Sequence, residues 1–213
     1  MNSYNDQDKA AIYRVIAERR DMRHFLPTPI SNEILRRLLE AAHQAPSVGF
    51  MQPWRFIRIS QTAIRQQIQQ LVEQERIATA NALAEREQEF MRLKVEGIQE
   101  CAELWVVSLM NQRDQHIFGR RTLPEMDLAS AACAIQNLWL AARAEGIGVG
   151  WVSLFDPQQL AELLKIPADA KPVAILCIGY VEAFYDAPML EQEGWAQRQP
   201  LDQLIAENGW DFA

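Results

Sequence analysis

Cysteine is scarce in this 213-residue sequence: Cys101, Cys133 and Cys177 are odd in number, far apart and free of C-x-x-C spacing. That argues against a disulfide framework or a zinc ribbon and fits a reducing compartment. Histidine is equally thin. His24, His43 and His116 form no H-E-x-x-H or H-x-x-E-H pair, so no metal site is expected. No run approaches the ~20 apolar residues of a membrane span, and Met1 to Ala10 is polar, without an apolar leader. Basic charge is in deficit, with a formal net charge of −7, which disfavours nucleic acid or an anionic membrane as partner. A cytoplasmic protein is expected. Internal repeats and low-complexity linkers are also missing. With 49% hydrophobic residues the chain can fill one core, so a single domain over residues 1–213 is expected.

What is present has a clear rhythm. Ala11, Ile12, Val15 and Ile16 recur at helical spacing, predicting a helix over Asp8–Glu18 that delivers Arg19, Arg20 and Asp21 at its end. Ser31 is placed to cap a second helix with the stripe Ile34, Leu35, Leu38, Leu39 and Ala42, closing near Ala45-Pro46. Phe56–Ile59 reads as a strand. Thr62 to Glu96 is rich in Gln, Glu and Ala and has neither Pro nor Gly, which predicts one long exposed helix stopping near Gly97, a lid or dimer arm. Leu104–Met110 reads as a strand and 111–124 as a loop. Over Asp127–Glu145 apolar residues cover nearly the whole circumference, so a helix buried on all sides is expected, central or at a subunit interface. Gly146 ends it. Val149–Leu154 and Val173–Tyr180 read as further strands, with Asp156-Pro157 opening a helix between them. The pattern predicts an α+β fold, a mixed sheet flanked by helices. The last thirty residues, with Trp195, Pro200 and Trp210, have little periodicity and suit a tail that wraps a neighbouring subunit.

Three segments can carry chemistry. Arg19, Arg20 and Arg23 put three guanidiniums within five residues, suited to a phosphate or an electron-rich ring edge, although a solvated helix end looks the same. Asp21 among them reads as a salt-bridge partner with a depressed pKa. The loop from Gln44 to Trp54 offers a hydroxyl, an amide and accessible backbone at Gly49 and Pro53, as many ordinary loops do. Gly146-Ile147-Gly148-Val149-Gly150-Trp151 fails as a dinucleotide fingerprint, because Trp151 replaces the third glycine and the run leads from helix to strand. Ser153 lies in no G-x-S-x-G elbow and has no nearby histidine, so a serine hydrolase is not expected.

Taken in order, Arg-Arg-x-x-Arg, then Ala-Pro-Ser-x-x-x-x-Gln-Pro-Trp, the Gly-rich strand entry and Arg198-Gln199-Pro200-Leu201 resemble the FMN-dependent nitroreductase superfamily over almost the whole chain. The resemblance implies an α+β homodimer with two FMN sites at the subunit interface and a C-terminal extension embracing the partner. It assigns Arg19, Arg20 and Arg23 to the FMN phosphate, ribityl chain and ring, and Arg198 to a second phosphate contact. Ser47, Gly49, Met51, Gln52 and Pro53 fall to the loop beside the isoalloxazine, and Gly150, Trp151 and Val152 to backbone near the flavin. Asp21 stands where ordinary members have serine, and Phe50 where they have asparagine. These departures, with the run Asn137 to Gly146 and Gly150-Trp151-Val152-Ser153, resemble the branch that fragments reduced FMN. There FMNH2 is bound as substrate, supplied by a separate flavin reductase, and dioxygen is co-substrate. The products are 5,6-dimethylbenzimidazole, the lower ligand of cobalamin, and erythrose 4-phosphate. Asp21 is then the expected base or proton shuttle, provided that desolvation offsets its arginines, and Ser153 an orienting hydroxyl. An NAD(P)H-dependent nitro- or flavin reductase and a flavin-sequestering protein without chemistry are the alternatives.

Overall fold

The computed structural model describes residues 3–210 and 212. Its first helix, α1 (Asp6–Glu18), begins on Asn5, whose side chain accepts the N–H of Asp8 at 2.9 Å. Helix α2 (Asn32–His43) begins as expected on Ser31, which accepts the N–H of Ile34 at 3.2 Å. It lays Leu35, Leu38 and Ala42 against α5 (Met126–Ala144).

Strands β1 (Trp54–Arg58), β2 (Glu103–Leu109), β3 (Ile147–Val152) and β4 (Lys171–Tyr180) lie in the order β1-β2-β4-β3, every neighbouring pair antiparallel. Among the described residues the single parallel element is a bridge between Asp21 and Val149, in which the Met22 N–H donates to the Val149 carbonyl at 3.0 Å. The mixed character expected of the sheet rests on that bridge alone. Side chains of β4 alternate between two cores, as strand geometry requires. Ala174, Leu176 and Ile178 meet α2 and α5, whereas Ile175 and Cys177 meet the opposite layer. That layer is built by α3 (Thr62–Ala82) and α6 (Pro157–Leu163), through Ile68, Val72 and Leu160. Asp156 caps α6 by accepting the N–H groups of Gln158 and Gln159.

Two expectations are corrected. Residues 62–96 are not one exposed helix: α3 packs under the sheet and stops at Ala82, a 3-10 turn spans Ala84–Arg86, and α4 (Glu87–Arg92) follows. Ala84 takes φ 47°, a left-handed conformation that ends the helix without a glycine or proline. Nor is α5 buried on all sides within one chain, since Ala129, Cys133 and Gln136 form an exposed stripe. Beyond the short α7 (Met189–Gln192) the tail holds Leu201, Leu204, Ile205 and Trp210 outward, Trp210 being 90% exposed.

Candidate active site

The chain leaves α1 extended and runs along the outer edge of β3, which brings Asp21 to Trp151. Asp21 Oδ1 accepts the Trp151 N–H at 2.9 Å and Arg23 Nη1 at 2.6 Å, and Oδ2 accepts Arg23 Nη2 at 2.6 Å. Arg23, 7% exposed, also donates to the carbonyls of Trp151 and Met22. Such close approach needs a bare strand. A Cβ on Gly150 would stand 2.3 Å from the Met22 carbonyl oxygen and 2.6 Å from Arg23 Nη1.

Asp21 forms the floor of a cavity of about 300 Å³ together with Arg19, Arg20, Arg23, Trp151, Val152 and Ser153. The facing wall is apolar: Phe90, Leu93 and Val95 come from α4 and the segment after it, Leu190 and Trp195 from the C-terminal turn. The Asp21 side chain is 42% exposed, but it opens into this cavity, with protein around it in most directions. Loss of water raises its pKa above the ordinary carboxylate value, against the pull of Arg23 and the Trp151 N–H. The depressed value expected of a salt-bridged aspartate is thereby corrected: the ion pair exists, and desolvation outweighs it. Oδ1 holds two donors and Oδ2 one, so a carboxylate with about four acceptor sites keeps a free lone pair on Oδ2.

Each neighbouring arginine is spent differently. Arg19 lies over the Trp139 ring, 4.7 Å from its centroid. Its pKa is lowered by burial, while the nearby Asp21 charge opposes the shift. Arg20 turns to protein carbonyls, donating to Ala17, Arg19 and Asp186 at 2.7–2.8 Å. The buried Nε atoms of Arg20 and Arg23 have no hydrogen-bond partner among the described residues. Ser153 lines the cavity, and its hydroxyl makes no protein hydrogen bond among the described residues.

The structure does not gather every residue picked out in the sequence. Ser47, Gly49, Met51, Gln52 and Pro53 lie outside the cavity lining, as do Gly150, beneath Arg23, and the exposed Arg198. The Ser47 loop is hydrogen-bonded near the other end of α5. The Val48 N–H donates to Ser130 Oγ at 3.0 Å, the Gln52 N–H to Ser47 Oγ at 3.0 Å, and Gly49 (φ 53°) lies against Phe118. Trp139, which accompanies the arginines, and Ser130 are nine residues apart on α5, roughly 14 Å along a helix rising ~1.5 Å per residue. Sequence reasoning missed the wall of Phe90, Leu93, Val95 and Trp195. Apolar residues standing in the polar run from Glu87 to Glu96 were the one available signal for the first three.

Residues 16–180 match the profile of the nitroreductase family. The chain belongs to that family. Among its relatives are proteins named 5,6-dimethylbenzimidazole synthase. The one from Rhodospirillum rubrum is 44% identical, the match covering 85% of this chain and 87% of the relative. One from Rhodobacter capsulatus is 37% identical, with 94% and 98% covered. The fold is shared with nitroreductase A of Vibrio parahaemolyticus, at TM-score 0.73 and 20% identity, over 99% of this chain and 79% of that one. It is shared equally with an iodotyrosine deiodinase bound to FMN and 3-iodo-L-tyrosine, at TM-score 0.73 and 21% identity, over 93% and 100%.

Proposed function

We propose that the chain binds reduced FMN over Asp21 and, with dioxygen, fragments it to 5,6-dimethylbenzimidazole and erythrose 4-phosphate. The observation that carries this reading is the desolvated Asp21 carboxylate, fixed by Arg23 and the Trp151 N–H, with one Oδ2 lone pair free at the floor of the cavity. The names of the relatives at 44% and 37% identity support it.

The residues fit a flavin. Arg19, Arg20 and Arg23 outnumber the one carboxylate and suit an anionic phosphate. The apolar wall suits a flat ring. The cavity volume is at the lower end of small-molecule sites, about 300–1,000 Å³. Reduced FMN would bring both the ring that is cut and the electrons that reduce dioxygen. Asp21 would accept a proton through Oδ2, and its raised pKa makes it a better base than a free aspartate. Ser153 would donate its hydroxyl to the bound ring or to the reacting oxygen. Arg23 keeps Asp21 aimed into the cavity, and Phe90, Leu93 and Trp195 exclude water.

The working unit in this reading is a homodimer. The Ser47–Pro53 loop reaches the flavin of the partner subunit, the exposed stripe of α5 meets its counterpart, and the outward tail from Leu201 to Trp210 lies on the neighbour, placing Arg198 near a phosphate. A separate flavin reductase supplies the reduced flavin.

The test is to mix the protein anaerobically with photoreduced FMN, admit air and resolve the products by liquid chromatography and mass spectrometry. Loss of FMN matched by dimethylbenzimidazole is the expected result. Full return of intact oxidised FMN overturns the reading; adding NADPH and a nitroaromatic acceptor then separates a reductase from a sequestering protein.

A further inference from the structure

The wall facing Asp21 is made of two pieces distant in sequence, α4 with the residues after it and the turn from Pro188 to Trp195. Neither piece belongs to the sheet. A small cluster of Ala80, Phe90 and Leu93, with Leu154 and Trp195 against it, attaches them to the body.

The α4 piece is anchored at its far end by Arg76 of α3, whose Nη2 donates to the Met91 carbonyl at 2.6 Å. At its near end stands Arg86. The Arg86 guanidinium lies over the Trp195 ring, 3.5 Å from the centroid, and its Nη2 donates to the Trp195 carbonyl at 3.0 Å. Glu89 takes Nε and Nη2 at 2.8 Å each, which keeps the guanidinium plane parked on the indole. Phe90 meets Trp195 from beside it, ring centroids 6.1 Å apart. The Trp195 N–H donates to the Leu190 carbonyl at 2.8 Å, so whatever holds Trp195 also holds the turn that puts Leu190 into the cavity wall. The joint from α3 runs through Ala84 at φ 47°, a conformation that persists only where its surroundings fix it.

We propose that Arg86 and Trp195 form a clasp that shuts the wall over Asp21 and decides how much reduced flavin is fragmented rather than merely oxidised. This rests on the fragmentation reading above. Arg86 touches neither Asp21 nor the cavity, and is a positioning residue. With the clasp open, water enters and the flavin leaves early. Reduced FMN then passes two electrons and two protons to dioxygen, giving oxidised FMN and hydrogen peroxide with no carbon–carbon bond broken. The Arg86–Glu89 pair lies within one piece and only orients the guanidinium, so the grip between the pieces comes from the guanidinium on the indole and from its bond to the Trp195 carbonyl.

The test compares the full-length chain with Arg86→Ala and Arg86→Lys. In the protein without flavin, hydrogen exchange of residues 84–95 and 188–196 should quicken in Arg86→Ala, while peptides of β2 and β4 stay unchanged. Under air with reduced FMN, dimethylbenzimidazole per flavin consumed should fall roughly fivefold, the deficit appearing as hydrogen peroxide, with Arg86→Lys partly restoring it because a cation over indole is kept. Unchanged exchange in both segments overturns the clasp. Faster exchange with an unchanged product-to-peroxide ratio overturns its part in the reaction. Should the unaltered protein make no dimethylbenzimidazole, the fragmentation reading fails, and the clasp stands or falls on exchange and on whether Arg86→Ala releases FMN faster.

Discussion

The two segments with the strongest flavin motifs behave differently in one chain. Arg19 to Arg23 is locked onto β3 by paired hydrogen bonds and already faces a cavity. The Ser47–Pro53 loop is equally well built, pinned by Ser130 and folded onto its own Ser47 hydroxyl, yet it faces no cavity among those described. The homodimer proposed above would give this loop a flavin to hold, and the exposed stripe on α5 and the outward tail would be its contact surface. In the proposed reading one half of the site is already assembled by the fold of one chain, and the other half waits for a second copy.

The largest effect should come from the preassembled half. Asp21→Asn should bind reduced FMN yet lower dimethylbenzimidazole formation by about 100-fold or more, as loss of a general base does, measured by single-turnover quench. The pH profile sharpens this. Desolvation raises the Asp21 pKa, so the carboxylate takes up its proton, and the rate falls, at a pH above the ~3.9 of a free aspartate. That acid limb should vanish in Asp21→Asn; a limb at the ordinary value would mean that Asp21 is not the group titrating.

The split between halves can be broken directly by complementation. Gly49→Val forces a branched side chain to a left-handed position 2.9 Å from the Phe118 carbonyl and should inactivate the loop. Alone, each of Gly49→Val and Asp21→Asn is expected to be inactive. Co-expressed, they should recover about one quarter of wild-type activity, because half of randomly paired dimers have one of two sites intact. No recovery would place both halves of the site in one chain.

The smallest effect tests the open hydroxyl. Ser153→Ala should slow product formation roughly tenfold, the worth of one hydrogen bond made in the transition state, with flavin affinity nearly kept by fluorescence titration. An affinity loss of the same size with an unchanged rate would make Ser153 a binding group only.

Much of the layout was legible from periodicity and capping. The Ser31 and Asp156 caps, the Gly146 stop and the strand cores of β2 and β4 fall where hydrophobic pattern and turn chemistry place them. The break after Ala82 was not legible, because Ala84 enters the left-handed region without a residue type that announces it; the break follows from Phe90 and Leu93 turning into the cavity wall. The sign of the Asp21 shift was hidden for a related reason. Sequence shows the arginines nearby, whereas the desolvation that outweighs them comes from β3 and from a wall contributed by residues 90–95 and 188–195. Arg20 shows the limit of reading a motif by residue type, since its guanidinium ends on the carbonyls of Ala17, Arg19 and Asp186.

The bond between the Trp151 N–H and Asp21 joins residues 130 apart in the chain. Long-range closures of this kind slow the search for the native state, because the entropy of closing the loop is lost before the contact is gained. During synthesis, the arginine segment emerges well before the strand edge that shapes it. A nascent or half-folded chain therefore has no finished floor on which to hold a reduced flavin, and capacity to bind it should appear together with the last cooperative step of refolding.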